Sequence, residues 1–196
     1  MKMLFCVGMR AAVLFAIPAL ADIAPTEQAA MLTAHNNERT TTGPGEAPLA
    51  WSTGLATYAQ AWAQALATQD QGLAHRDQSP NRADFTINNP LYPGQSLGEN
   101  IFGSTSPDDG TLGAAAVTSW ISEKQFYNYA ADDGNGAAGS PPGCTAPDGS
   151  SCGHYTQVVW SATTMVGCGK ATSASGWTFV VCNYYAPGNF SGQAPY

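Results

Sequence analysis

The periodicity of the apolar residues changes once along this chain, and that change narrows the folds open to it. The candidate segments from Glu27 to about Tyr127 carry three- and four-residue spacing, whereas the last third holds runs rich in β-branched and aromatic residues. Glu27 to Arg39 places Ala30, Leu32 or Thr33, Ala34 and Asn37 at helical spacing behind Pro25 and Thr26, and Gly43, Pro44 and Gly45 stop it. The clearest amphipathic rhythm follows: Leu55, Tyr58, Ala59, Trp62, Ala63 and Leu66, with Ser52 or Thr53 as cap. A third helix is expected from Thr111 to about Tyr127, with Asp108 and Asp109 before its positive end. Strands are expected over Tyr155 to Trp160, Thr164 to Cys168 and Trp177 to Tyr184, with Gly167, Gly169 and Ser173 to Gly176 as bulges or turns. Helices first and strands last predict an α+β layer structure. Asp77 to Gly98 and Asp132 to Ser151 are rich in Gly, Pro and Asn and read as loops.

The first residues belong to a different kind of segment. Lys2 and Arg10 flank and precede an apolar stretch, Ala11 to Leu20, and Ala19-Leu20-Ala21 fits a small-residue cleavage site before Asp22. Residues 1–21 are therefore expected to be an export signal and residues 22–196 a single secreted, extracellular domain. No stretch approaches the roughly 20 apolar residues of a membrane span. Without the leader, five basic residues face 14 acidic ones, a formal charge of −9. That balance argues against a nucleic-acid or anionic-membrane partner, since both depend on basic charge. The leader also carries Cys6, leaving Cys144, Cys152, Cys168 and Cys182. Four cysteines in an exported chain read as two disulfides with three possible pairings, and no Cys-x-x-Cys knuckle speaks for zinc.

His75, Glu99, Glu123 and His154 are the candidates for chemistry. Each sits at a boundary or beside apolar residues rather than in a charged run. Two imidazoles and a carboxylate can hold zinc, with the second glutamate as general base, or each polar residue can be satisfied locally. No His-Glu-x-x-His pair pins two ligands on one helix face, and no Gly-x-Ser-x-Gly elbow offers a serine nucleophile.

Several longer motifs carry a resemblance. Gly153-His154-Tyr155-Thr156-Gln157-Val158-Val159-Trp160-Ser161 and the run from Phe179 to Phe190 resemble the two signatures of the CAP superfamily of cysteine-rich secretory, antigen 5 and pathogenesis-related class 1 proteins. His35-Asn36 with Arg39, Leu49-Ala50-Trp51, Gly98-Glu99-Asn100, and Trp120 with Glu123-Lys124 follow in family order. The plant pathogenesis-related class 1 proteins are the subgroup it resembles most. The resemblance implies an α-β-α sandwich with a small antiparallel sheet between helical layers. It also implies that His75, Glu99, Glu123 and His154 line one cavity, where His75 and His154 can hold zinc or another divalent cation. Under it Cys144 pairs with Cys152 and Cys168 with Cys182. The subgroup's third disulfide has no cysteines here in Gln69 to Ala74 or Lys170 to Trp177, so packing is expected to hold those elements.

The function implied is that of a secreted, non-enzymatic binder of a small hydrophobic ligand, a sterol or fatty acid, in defence or host interaction. Alanines 56, 59, 61, 63, 65 and 67 would permit close packing or leave a slot. Two alternatives stand beside it. One is a zinc-dependent hydrolase in which Glu99 or Glu123 takes a proton from water. The other is an interaction protein acting through surface loops or through a signalling peptide released from the tail, Ala186 to Tyr196, with no protein partner identified. The expected state of that tail is packed on the domain. Asn189-Phe190-Ser191 is a glycosylation sequon for a eukaryotic secretory pathway.

Overall fold

The computed structural model describes residues 23–43, 45–76, 90–131, 143–147, 151–190 and 192–196. The expected leader lies outside the described residues, as do most of the first loop (77–89) and much of the second (132–142 and 148–150). Elements follow in the order α1 (Pro25–Thr41), β1 (Ala50–Trp51), α2 (Thr53–Gln69), β2 (Gly98–Ser104), α3 (Leu112–Ser122), α4 (Gly153–Val158), β3 (Met165–Thr172) and β4 (Thr178–Tyr185). Single 3-10 turns, Glu123–Phe126 and Tyr129–Ala131, follow α3.

The strands form one sheet in the order β1-β3-β4-β2. Its three long strands are antiparallel, and the two-residue β1 adds a parallel edge to β3. Both faces are covered. Val180, Cys182 and Tyr184 point into a core shared with Met31 of α1, Val117 and Trp120 of α3, and Tyr155 and Val158 of α4. Phe179 and Val181, alternating with them, meet Ala59, Ala63 and Leu66 of α2. The result is an α-β-α sandwich.

Helix α2 lies flat on the sheet because small residues face each other. Gly167 and Gly169 are regular strand residues rather than the bulges expected from sequence. A Cβ at Gly167 would collide with Ala56 N and Ser52 O, and one at Gly169 with Gln60 N and Cα. The buried alanines of α2 thus serve close approach, and Gln60 fixes the register by bonding both Lys170 N (2.9 Å) and Lys170 O (2.8 Å). Ser52 caps the helix, its Oγ accepting from Leu55 N, and Asp70 ends it in the left-handed conformation at φ 52°.

Two further expectations are corrected. Tyr155 to Trp160 is not a strand, because Gly153–Val158 is helical. The segment is buried on nearly all sides, so its β-branched residues report burial rather than a pleat. Helix α1 exists as expected but presents another face. Its buried residues are Glu27, Met31, His35 and Arg39, one per turn, while Ala30, Thr33 and Asn37 are exposed. Each buried polar group on it is partnered. Glu27 Oε1 accepts from Gly113 N at 2.8 Å, and Glu27 Oε2 meets Lys170 Nζ at 2.6 Å, with Asp108 on the same ammonium at 2.7 Å.

The disulfides join Cys144 to Cys152 and Cys168 to Cys182, the latter pair directly opposed across β3 and β4. Where the third bridge of the resembling subgroup would join α2's end to the β3–β4 turn, Asp70 accepts from Ser175 Oγ (2.6 Å) and Ser175 N (3.1 Å). Leu73 and Trp177 close over Gly103 beside it. The tail is bonded down as well: Ser161 N donates to Pro195 O at 2.7 Å, and Tyr196 stacks on Tyr129.

Gly169→Ala is expected to lower the unfolding free energy by about 3 kcal/mol, since α2's backbone has to move for the new methyl. Urea denaturation read by circular dichroism tests it; an unchanged midpoint would show that α2 can shift freely.

Candidate functional site

His75 lies in the segment after α2, and β2 brings Glu99 to it. His75 Nδ1 and Glu99 Oε1 are 3.0 Å apart, and the same oxygen accepts from Arg76 N at 3.1 Å. Asn183, directly opposite Glu99 in the β2–β4 ladder, approaches Glu99 Oε2 at 3.4 Å. The Glu99 side chain is 2% exposed, whereas that of His75 keeps 41%. The carboxylate is a buried brace, and the imidazole is the accessible partner.

Glu123 and His154 form the second pair. Glu123 begins the 3-10 turn after α3, and its Oε1 is 2.6 Å from His154 Nδ1. Its Oε2 accepts from His154 N (3.0 Å) and Tyr155 N (3.1 Å), two of the amides that the start of α4 leaves unpaired. One carboxylate therefore orients the ring and caps the helix that carries it. Trp120 stacks on the same ring, with centroids 6.1 Å apart and planes 19° from parallel.

His75 and His154 line one cleft of about 190 Å³, walled otherwise by Leu73, Ala74 and Ile101. The four sequence candidates are thus two His–Glu pairs whose imidazoles share a cleft. Among the described residues no group of three or more His, Cys, Asp or Glu side chains is gathered to hold a metal ion.

A buried relay steadies the site from behind. His35 Nδ1 donates to Met31 O at 2.8 Å, so its Nε2 accepts from Tyr184 Oη at 2.9 Å. Asn100 Nδ2 donates to Tyr184 Oη (3.2 Å) and to His154 O (3.0 Å). Burial pushes the Tyr184 phenol up, keeping its proton on oxygen. Burial also holds the His35 imidazole down to about 4, opposed by the Met31 carbonyl and reinforced by the Arg39 charge. Reasoning from sequence did not assign His35, Asn100, Trp120 or Tyr184 to the site. Their available signal was a polar residue every fourth position of α1 and a tyrosine in the apolar-rich stretch from Phe179 to Tyr185.

The chain matches the family model for CAP, the cysteine-rich secretory protein family, over residues 32–184. It is 37% identical over 166 residues to a pathogenesis-related protein, PRMS, of Zea mays, covering 84% of this chain and 80% of that protein. It is 36% identical over 183 residues to pathogenesis-related protein 1B of Nicotiana tabacum, covering 93% and 89%. Among solved structures it is similar to NaASP2, crystallised with Zn2+, with a TM-score of 0.60 and 24% identity over 90% of this chain and 87% of that one.

The His35 relay makes a pH prediction. From about pH 6.5 down to about 4 the unfolded chain binds a proton at His35 that the folded chain refuses. The stability tied to this group is complete above that range and falls by about 3 kcal/mol across it. Urea unfolding at pH 7 and about pH 4.5 should show a smaller acid loss in His35→Gln than in the parent. Equal losses would mean that His35 protonates without unfolding.

Proposed function

The chain belongs to the cysteine-rich secretory protein family, and from that premise we propose that it is an exported, non-enzymatic binding protein of the defence-related type whose central cleft takes a divalent cation. The observation that carries this reading is the pair of imidazoles in one cleft, each with Nδ1 bonded to its own carboxylate. A carboxylate on one ring nitrogen fixes the tautomer and raises the basicity of the other, the arrangement usual behind metal-bound histidines. His75 and His154 would hold the ion through Nε2, with solvent completing its shell, and two nitrogen donors suit zinc among common divalent ions. Bound there, the ion would supply a positive charge able to orient an anionic or carbonyl oxygen.

The hydrolase alternative has less support. A general base needs a lone pair facing water, but Glu99 accepts from His75 and Arg76, and Glu123 accepts from His154 and Tyr155. Both carboxylates are occupied in bracing. A sterol or fatty-acid cargo is supported by the family alone. The site cleft, and a second of about 200 Å³ beside Ile23, Trp51 and Ala56, fall short of the roughly 300 Å³ at which ligand pockets begin.

Calorimetric titration with zinc is expected to give one site per chain, weakened at least about ten-fold in the His75→Ala/His154→Ala double variant with its melting temperature retained. Stoichiometric zinc in that variant would overturn the assignment. Expression in a secreting host should yield a product beginning at Asp22 by mass, and a retained Met1–Ala21 would remove export from the proposal.

A further inference from the structure

The two peptide planes that meet at the His154 Cα are both held from outside α4. They carry four polar atoms: Gly153 O and His154 N on one, His154 O and Tyr155 N on the other. Glu123 Oε2 accepts from His154 N at 3.0 Å and from Tyr155 N at 3.1 Å. Asn100 Nδ2 donates to His154 O at 3.0 Å. The fourth atom, Gly153 O, accepts from Asn189 Nδ2 at 2.8 Å. Three side chains, from the turn after α3, from β2 and from the tail after β4, thus fix φ and ψ at the residue that presents the imidazole. A six-residue helix does not hold its own first turn, so these bonds decide where the ring starts.

The other end of the Asn189 amide is engaged as well. Its Oδ1 accepts from Thr156 Oγ1 at 2.7 Å, so the side chain spans the first turn of α4. The backbone around it is shaped for this use. Asn189 sits at φ 59°, a left-handed conformation that asparagine adopts more readily than most residues. Gly188 N donates to Gln157 Oε1 at 2.9 Å, and a Cβ at Gly188 would strike the Trp160 ring, so the tail lies close against α4. The tail has its own anchors further on, in the Ser161–Pro195 bond and the Tyr129–Tyr196 stack. Asn189 is therefore not needed to keep it on the domain.

We propose that Asn189 is a positioning residue for His154: its amide completes the clamp on the two peptide planes and so presets the imidazole for the ion. The consequence for the ion rests on the proposed cation site, whereas the clamp itself does not.

Two variants separate the parts of this side chain. Asn189→Gly removes the amide and tolerates the left-handed backbone, while Asn189→Asp keeps an acceptor for Thr156 but cannot donate to Gly153 O. Both are produced by bacterial export, so that the nitrogen of the sequon carries no glycan. Amide hydrogen exchange, followed by NMR in the metal-free chain, reads the clamp directly. In both variants the His154 and Tyr155 amides should exchange at least about ten-fold faster than in the parent, while those of Val180 and Val181 in β4 keep their parental rates. Zinc, titrated calorimetrically, should bind both variants about ten-fold more weakly at an unchanged melting temperature. Parental exchange at His154 and Tyr155 would overturn the proposal, and so would faster exchange with parental zinc affinity. Faster exchange throughout β4 as well would show a merely structural role and would overturn it too. Absence of zinc binding by the parent would sink the cation reading alone, since the exchange rates decide the clamp without the ion.

Discussion

The guanidinium of Arg39 is the interaction on which the rest of this structure leans. It is fully buried, and burial lowers its pKa against the supporting charge of Glu46. It donates to Ala47 O (2.7 Å), Val158 O (3.0 Å), Trp160 O (2.8 Å) and Thr163 O (3.0 Å). Val158 closes α4, Trp160 and Thr163 lie in the segment that follows it, and Ala47 belongs to the segment after α1. A six-residue helix has almost no stability of its own, because every one of its carbonyls lies within reach of an end. Arg39 supplies the donors at its C-terminal side, and Glu123 supplies the acceptor at its N-terminal side. His154 points into the cleft because these two charges, from α1 and from the turn after α3, hold α4 between them.

That arrangement explains what could and could not be read from the residues. Helix α2 was legible, as its apolar stripe is also its buried stripe and Ser52 caps it as expected. Helix α1 was legible as a helix but not in orientation. Glu27, His35 and Arg39 resemble a solvated face until Lys170, Tyr184 and the carbonyls after α4 are brought to them. The run from Tyr155 to Trp160 misled for the same reason: its helix is imposed by partners more than 30 residues away in sequence. Gly167 and Gly169 read as irregularities because the helix that forbids a side chain there lies over 100 residues earlier.

The site itself was visible as residue types. His75, Glu99, Glu123 and His154 stood out as titratable groups among apolar neighbours. Which glutamate serves which histidine depends on the β2–β4 register and on the turn ending α3, and no local spacing encodes either. The same holds for Asn100, whose amide links Tyr184 to the His154 carbonyl.

The join between α2 and the β3–β4 turn has a mechanical consequence. Asp70 and Ser175 hold that corner by hydrogen bonds, so the covalent cross-links span only 8 and 14 residues, and both lie after residue 143. Pulled from its N-terminus, the chain can be drawn out as a plain thread through α1, the sheet edge, α2 and α3 before it meets a covalent knot. A pore-forming unfoldase or a stretching force applied from that end would meet only noncovalent resistance until it reached Cys144. The two short loops stapled near the C-terminus would come through last, still closed.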